Sequence, residues 1–178
     1  MKRTLALACA AALVAVPAYA ALKSGARAPD FSALASIGGK EFKFALADAL
    51  KKGPVVLYFY PAAFTPGCTI EAHNFADAMD DFQKLGATVI GVSHDPIEKL
   101  DRFSLTECRS KFPVAADADG KIMRNYDAVQ DPRAEYADRV SYVIAPDGKV
   151  IYSYTAGDPT HHVEYTMAAV KKYASEHH

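Results

Sequence analysis

The stretch "FYPAAFTPGCTIEAHNF", from Phe59 to Phe75, places one cysteine where the chain passes into a helix-like pattern, a position that suits thiol chemistry. Pro66 and Gly67 directly precede Cys68, and Thr65 lies three residues before it. An ionised cysteine that small electrophiles can reach is a nucleophile, whereas most free cysteines are small, buried, apolar residues. The structural element that carries Cys68 decides between these two interpretations.

The residues around Cys68 predict a strand, a helix and a second strand. Pro54 to Tyr60 is a continuous apolar run, typical of a strand buried on both faces, and 87–92 ("ATVIGV") has the same character. Between them, Cys68 to Leu85 has apolar residues at helical spacing, and Gly86 follows as a C-cap. This order predicts a βαβ unit with two parallel strands.

On that scaffold Cys68 lies at the carboxyl end of a central strand, in the first turn of the following helix. Ligands of open α/β sheets bind at this edge. The unpaired N–H groups and the positive dipole end of a helix start both favour a thiolate. The hydroxyl of Thr65 is placed either to cap the helix or to face the group that the sulfur attacks.

The remaining pattern predicts one α/β domain, a mixed sheet flanked by helices. Asp117-Ala118-Asp119-Gly120 has part of a calcium-loop pattern but lacks the other ligands, so a turn is predicted there. Ala21 to Ala28 is expected to be a ragged terminus. The other predicted elements are a helix over 96–109, a short strand over 112–115, a hairpin over 139–155 ("RVSYVIAPDGKVIYSYT") and a closing helix over 163–173.

Composition and the first residues limit the class of protein. The 178 residues carry a net charge of −1 with no basic block, so neither nucleic acid nor an anionic surface is an expected partner. Lys2 and Arg3, an apolar run over 5–16 and Ala18-Tyr19-Ala20 predict a secretory signal over 1–20, with an uncleaved membrane anchor as the alternative. The domain is then 21–178, exported, periplasmic in a Gram-negative source, and without membrane contact after cleavage.

Two cysteines, Cys68 and Cys108, remain after the predicted cleavage. In an oxidising compartment they are compatible with a single structural disulfide as well as with catalysis. The chain has no C-x-x-C and no cysteine–histidine pairs at zinc spacing, so neither a metal site nor a thioredoxin-type redox motif is predicted.

Pro61-x-x-x-Thr65-x-x-Cys68 resembles the peroxiredoxin active-site motif, and "GPVVLYFYPAAFTPGCTIEAHNF" is similar to the bacterioferritin-comigratory, or Q-type, subfamily. The segments "GARAPDFSA", "FPVAADADGKI", "RVSYVIAPDGKVIY" and "HHVEYTMAAVKK" resemble the same subfamily in the same order. The resemblance therefore extends over about 23–172, nearly all of the predicted mature chain.

The resemblance implies a thioredoxin-like fold and thiol-dependent reduction of hydroperoxides, with no metal or organic cofactor and with a thiol or thioredoxin-like reductant as partner. It also implies a monomer. Cys68 matches the peroxidatic cysteine, Thr65 the residue that hydrogen-bonds the peroxide, and Pro61 the residue that shields the pocket. Arg139 matches the arginine supplied from a later strand, and Glu71 a glutamate behind the site. Phe64 at the pocket rim favours larger apolar peroxides.

The chain departs from the subfamily at His73, where many members carry a resolving cysteine. Cys108 is then the resolving candidate, as in members whose resolving cysteine lies on the later helix. A disulfide needs α-carbons within about 7 Å, so local unwinding during turnover is expected. The alternative is a one-cysteine mechanism with an external thiol.

His73 is expected to be solvated, and His94, His161, His162, His177 and His178 to be structural or on the surface. Two other functions stay open, thiol–disulfide exchange and a non-catalytic thioredoxin-fold module.

Overall fold

The computed structural model describes residues 21–177, so the predicted signal segment 1–20 lies outside the described residues. The described chain forms one seven-stranded sheet with helices on both faces. Along the chain the elements are β1 (Ser32–Ile37), β2 (Lys40–Ala45), α1 (Leu46–Leu50), β3 (Val55–Phe59), α2 (Pro66–Lys84), β4 (Thr88–Ser93), α3 (Ile97–Thr106), β5 (Val114–Ala116), α4 (Lys121–Asn125), β6 (Val140–Ile144), β7 (Val150–Thr155) and α5 (His162–His177).

The sheet is mixed, with strand order β2-β1-β5-β4-β3-β6-β7. β3 and β4 are parallel, which confirms the predicted βαβ unit, and Gly86 ends the connection with a positive φ of 70°. β6 runs antiparallel to β3, with Val140 opposite Phe59. Residue 139 therefore lies beside the carboxyl end of β3, the end at which α2 begins.

Alternation along β3 divides the interior into two cores. Val55, Leu57 and Phe59 pack on one face of the sheet with α1 and α4. Val56 and Tyr58 pack on the other face, with α2, α3 and α5. All five residues of β3 are buried, because helices cover both faces of the sheet at this strand. Cys68 and Cys108 both belong to the second core.

The prediction of a ragged terminus over Ala21 to Ala28 is wrong. The amide of Gly25 donates to the carbonyl of Val150, and the amide of Val150 donates to the carbonyl of Ala26. β7 is an edge strand of the sheet, so its backbone groups are free to pair with this segment. The β1–β2 hairpin was not predicted, because most of β2 is polar and exposed.

The Asp117–Gly120 segment is a turn, as predicted. The Asp117 carboxylate accepts hydrogen bonds from the amides of Ile122 and Met123 at the start of α4. Gly120 takes a left-handed φ of 66°, which glycine adopts without strain. Within 21–177, no helix combines the length and the apolar character that crossing a bilayer requires.

Candidate active site

Cys68 is the third residue of α2 and is nearly buried, with 1% of its surface exposed. Thr65 occupies the N-cap position in an extended conformation, and Pro66 is the first helical residue. Proline suits this position because the first N–H groups of a helix have no intrahelical acceptor. Cys68 therefore belongs to the turn that carries the free amides and the positive end of the helix dipole. Along the chain, the exposed residues near it are Phe64, Thr65 and Pro66 before the sulfur and Ile70 after it.

Arg139 reaches Cys68 from the residue before β6, the strand next to β3. Its Nη2 lies 3.4 Å from the Cys68 Sγ, its Nη1 donates to Glu71 Oε2, and its Nε donates to the carbonyl of Gly157 at 3.1 Å. The register of β3 with β6 brings this residue to the start of α2. A side chain at residue 67 would have its Cβ 3.0 Å from Arg139 Nη2, so Gly67 leaves room for the guanidinium.

Glu71 lies one helical turn after Cys68 and is fully buried. Burial raises the pKa of Glu71 to about 8, and this effect outweighs the opposing attraction of the Arg139 guanidinium. Its Oε2 accepts the bond from Arg139, while its Oε1 has no hydrogen-bond partner within the described residues. The site thus holds one guanidinium between two acidic groups, the carboxyl of Glu71 and the thiol of Cys68.

Thr65 does not cap α2, which rejects one of the two roles predicted for it. Its hydroxyl donates to the carbonyl of Ala62 at 2.9 Å, and the side chain makes no cap hydrogen bond. Because the hydroxyl proton is used in this way, the Oγ lone pairs remain available to accept a hydrogen bond from a bound molecule. Pro61 is half-buried in the loop before α2. Direct contact with the sulfur is therefore made by Arg139 and not by Thr65.

Asp95 holds the loop before α2, a contact that the sequence did not signal. Its buried carboxylate accepts the amide of Ala63 at 2.7 Å and the hydroxyl of Ser93 at 2.9 Å, and it pairs with Lys99 at 2.6 Å. Phe64, the next residue, has a positive φ of 67°, which costs a non-glycine residue about 1 kcal/mol or more. The contact between Asp95 and Ala63 helps to maintain this strained loop.

His162 is a second residue of the site region that sequence analysis did not single out. It is completely buried, and its Nδ1 lies 3.6 Å from Glu71 Oε1. The expectation that His94, His161 and His177 are structural or on the surface is confirmed by their contacts with the Asp117 carbonyl, Glu164 and the Tyr173 carbonyl. His178 lies outside the described residues.

Cys108 follows the end of α3 and is fully buried among apolar side chains. Burial raises the pKa of its thiol, and the nearby charge of Glu107 adds to this effect. Both cysteines are free thiols in the structure, so it contains no static Cys68–Cys108 bridge. Arg109 and Ser110 both have positive φ, 50° and 56°, which strains the backbone directly after Cys108.

Three polar side-chain pairs fasten the segment that carries Cys108 to one face of α2; we call them the α2 clasp. His73 Nε2 lies 2.8 Å from Glu107 Oε2, Asp77 pairs with Arg109, and Asp80 lies 3.3 Å from Lys111. The residues on α2 are spaced by four and three, so they share a helix face. His73 keeps 37% of its side-chain surface exposed, as expected of a histidine on the helix surface, but its contact with Glu107 was not predicted, because Glu107 comes from a distant part of the chain.

Comparison with known proteins gives a consistent result. Residues 24–153 match the AhpC/TSA family. The chain is 32% identical over 158 residues to Peroxiredoxin Bcp of Escherichia coli (strain K12), covering 86% of this chain and 98% of the relative. It is 29% identical over 127 residues to Peroxiredoxin Bcp of Xanthomonas campestris pv. campestris, covering 68% and 79% of the two chains.

Solved structures agree with this result. Peroxidoxin BcpB of Mycobacterium tuberculosis has a TM-score of 0.77 and 30% identity, covering 85% of this chain and 97% of that one. A structure concerning the alkyl peroxide reduction activity of Xanthomonas campestris Bacterioferritin Comigratory Protein has a TM-score of 0.70 and 28% identity, covering 79% and 91%. The fold is therefore the thioredoxin-like fold of the peroxiredoxins, as predicted.

Proposed function

Because this chain belongs to the AhpC/TSA family, is similar to the Bcp and Q-type peroxiredoxins, and is a thiol-dependent peroxidase, we propose that Cys68 is its peroxidatic cysteine. One observation carries the assignment: the Cys68 sulfur lies at a helix N-terminus, 3.4 Å from a guanidinium nitrogen of Arg139. A fixed positive charge at this distance favours the thiolate over the thiol.

The reaction begins with attack of the Cys68 thiolate on the terminal oxygen of a hydroperoxide. The sulfur–oxygen bond forms as the O–O bond breaks, so sulfur is oxidised by two electrons to a sulfenic acid and the peroxide is reduced. The leaving oxygen departs as alkoxide or hydroxide and takes a proton from water, giving an alcohol or water. A thiol then condenses with the sulfenic acid, forming a disulfide and releasing water.

Ionisation of Cys68 alone does not account for the rate of an enzyme. A free cysteine is already a few per cent thiolate at neutral pH, so full ionisation gains only about thirtyfold. Enzymes accelerate reactions by about a millionfold or more. The larger share must come from groups that stabilise the departing oxygen, for which Arg139 and the amides at the start of α2 are placed.

Replacement of the two cysteines tests the assignment. We expect Cys68→Ser to lose peroxide consumption with a chemical reductant, because serine is far less nucleophilic than a thiolate. Cys108→Ser is the matched control and is expected to keep the first, sulfenate-forming step. Undiminished turnover of folded Cys68→Ser would contradict the assignment.

We further propose that Cys108 resolves the sulfenic acid by forming an intramolecular disulfide with Cys68. Cys108 is buried, and burial raises the pKa of its thiol, so the closed segment is a poor nucleophile. The segment must therefore open. Its two consecutive left-handed residues, Arg109 and Ser110, disfavour the closed form, whereas the α2 clasp favours it.

Mass spectrometry after one equivalent of hydrogen peroxide distinguishes the two ways of resolution. A Cys68–Cys108 bridge within one chain supports resolution by Cys108. A persistent sulfenate, or an adduct with an added thiol, supports a one-cysteine mechanism.

The natural setting is proposed from the sequence. The segment 1–20 supports export, with cleavage after Ala20 and a periplasmic location in a Gram-negative source. N-terminal sequencing of the exported protein checks the cleavage, and sedimentation checks the proposed monomer. The reductant is a thiol or thioredoxin-like protein.

Organic hydroperoxides are proposed as substrates beside hydrogen peroxide. Phe64, 42% exposed on the loop before α2, supports this choice because it presents an apolar ring to solvent four residues before Cys68. We expect Phe64→Ser to lower kcat/KM for cumene hydroperoxide more than for hydrogen peroxide. Equal changes in kcat/KM for the two substrates would show that Phe64 does not determine which peroxide the enzyme prefers.

A further inference from the structure

His162, the first residue of α5, is a completely buried histidine with a polar contact at each ring nitrogen. Its Nδ1 lies 2.7 Å from the Ser141 hydroxyl oxygen, and its Nε2 lies 3.1 Å from the Ala156 carbonyl oxygen. Burial of a polar ring is costly unless its nitrogens are hydrogen-bonded, and here both are.

These contacts specify one form of the imidazole. A carbonyl oxygen only accepts hydrogen bonds, so Nε2 carries the proton that it donates to Ala156. In the neutral ring Nδ1 is then the acceptor, and the Ser141 hydroxyl donates to it. Burial lowers the pKa of His162 to about 4, with Arg139 and His161 acting in the same direction and the Ala156 carbonyl and Asp158 opposing them. The ring is therefore neutral at physiological pH.

The first connection from His162 to the active site runs through the backbone after β7. Ala156, which accepts the bond from His162, also donates its amide to the carbonyl of Arg139 at 3.3 Å. The next carbonyl, that of Gly157, accepts the Nε–H of Arg139 at 3.1 Å. The residue pair 156–157 thus holds both the backbone and the side chain of Arg139, and His162 anchors this pair from the other side.

The second connection runs through Glu71. Nδ1 of His162 lies 3.6 Å from Glu71 Oε1, which otherwise lacks a partner among the described residues. The imidazole therefore closes the space behind the carboxyl group. Glu71 then presents its Oε2 to Arg139 Nη1, while Arg139 Nη2 is directed at Cys68.

We propose that His162 is a positioning residue of the peroxidase: a neutral imidazole that holds the guanidinium of Arg139 against the Cys68 sulfur. This inference rests on the proposed function of Cys68. The competing explanation is packing alone, since the His162 ring also meets the Tyr154 ring edge to face at 4.8 Å.

Substitution of His162 by Phe and by Gln separates positioning from packing. Phe fills the space and retains an aromatic ring against Tyr154 but forms no hydrogen bond, whereas the Gln amide extends far enough to donate to Ala156. The neighbouring His161, which is exposed and pairs with Glu164, provides the matched control His161→Phe. Two quantities are measured on each folded variant: kcat/KM for hydrogen peroxide, and the pH midpoint of iodoacetamide alkylation at Cys68, followed by mass spectrometry of its peptide.

We expect His162→Phe to lower kcat/KM about tenfold or more and to raise the alkylation midpoint by about one pH unit, because a displaced guanidinium no longer favours the thiolate. His162→Gln should recover most of both effects, and His161→Phe should match the unmodified protein. A folded His162→Phe protein with unchanged kcat/KM and midpoint would show that the ring only packs, and would overturn the proposal.

Should His162→Phe fail to fold, His162→Gln and His162→Asn decide the question. Asn is one bond shorter and does not reach Ala156, so a higher midpoint for Asn alone supports positioning, and equal midpoints overturn it. The Cys68→Ser variant distinguishes failure of the proposed function from failure of the role of His162. If Cys68→Ser keeps its activity, the proposed function fails. If it is inactive while the His162 variants behave as the unmodified protein, only the role of His162 fails.

Discussion

Cys68 and Cys108 lie in the same buried cluster on one face of the sheet, yet their surroundings differ in charge. Cys68 begins a helix and lies beside the guanidinium of Arg139. Cys108 follows a helix, is enclosed by apolar side chains, and has its thiol pKa raised by burial. Equal burial therefore does not imply equal reactivity. The difference comes from the charges and dipoles that face each sulfur.

The two regions also differ in how they are held. Arg139 and Glu71 are buried and pair with each other inside the protein, so solvent and salt screen them little. Two of the pairs in the α2 clasp, Asp77–Arg109 and Asp80–Lys111, join exposed side chains and are individually weak. The surroundings of Cys68 suit a site that keeps its geometry, and those of Cys108 suit a segment that opens and closes.

The largest expected effect comes from removing the charge beside Cys68. Arg139→Ala should lower kcat/KM for hydrogen peroxide by about 10²- to 10³-fold, because it removes both the stabilising charge for the thiolate and a donor to the leaving oxygen. Steady-state kinetics measures the loss. Arg133→Ala, which removes an exposed arginine paired with Asp131, is the control and should have no effect. Similar values of kcat/KM for the two variants would show that the charge of Arg139 does not account for the reactivity of Cys68.

A smaller loss of activity is expected from Thr65→Val. This substitution distinguishes an effect on the ionisation of Cys68 from an effect on peroxide binding. Thr65→Val should lower the rate with hydrogen peroxide by about 10- to 100-fold, because valine has no Oγ to accept a hydrogen bond from the peroxide O–H. Alkylation of Cys68 by iodoacetamide should change much less. Stopped-flow kinetics with both reagents makes the comparison. Equal losses for both reagents would mean that Thr65 acts only on the ionisation of Cys68.

Weakening the α2 clasp should raise the alkylation rate of Cys108 and leave the alkylation rate of Cys68 unchanged. Asp77→Asn with Asp80→Asn removes two pairs worth about 0.2 to 1 kcal/mol each, so alkylation of Cys108 in the folded protein should accelerate by about two- to thirtyfold. Mass spectrometry of the two cysteine peptides gives both rates. Asp48→Asn, which breaks an exposed pair with Lys51 elsewhere, is the control. Acceleration at Cys68 as well would indicate general destabilisation instead of segment opening.

The smallest effect concerns the pH dependence of stability near Cys68. The pKa of Glu71 is about 8 in the folded protein against 4.5 as the reference value, so the folded form holds an extra proton between these values and stability falls as pH rises. The pKa of His162 is lowered from 6.5 to about 4, so stability falls as pH decreases through that interval. Between about pH 4.5 and 6.5 the two groups therefore oppose each other.

Above pH 6.5 the Glu71 effect is no longer opposed by His162. From pH 6.5 to 8 the free energy of unfolding should fall by about 1 to 2 kcal/mol through Glu71, and Glu71→Gln should remove this decline. Urea unfolding at several pH values measures it. Parallel curves for the unmodified protein and Glu71→Gln would show that the carboxyl group is ionised across the whole interval.

Sequence patterns predicted the parts of the fold whose signals are local. The buried strand, the amphipathic helix and the Pro-Asp-Gly hairpin were all read correctly, because periodicity and turn residues report on neighbouring positions. The β1–β2 hairpin was not predicted, since its second strand is largely polar. The terminus over Ala21 to Ala28 was misjudged because its hydrogen-bond partners lie on β7, far away in sequence.

The residues of the candidate site likewise fall into those that the sequence indicated and those that it did not. Cys68 at a helix start follows from local sequence, and the roles of Arg139 and Glu71 were indicated by resemblance to a family. Asp95 and His162 were not identified, because their contacts are with residues 32 and 91 positions away. The contact of His73 with Glu107 was missed for the same reason, since the two residues are 34 positions apart.

The sequence by itself determined that one thiol stands where a buried strand passes into a helix, because strand and helix periodicity and the Pro-Gly entry are properties of adjacent residues. Local sequence did not determine which charges meet that thiol: resemblance to a family pointed to Arg139 and Glu71, and the tertiary structure decided their contacts. The antiparallel register of β6 with β3 brings Arg139 to Cys68, and the start of α5 brings His162 to Glu71. These contacts depend on how distant elements pack together, and no local pattern encodes them.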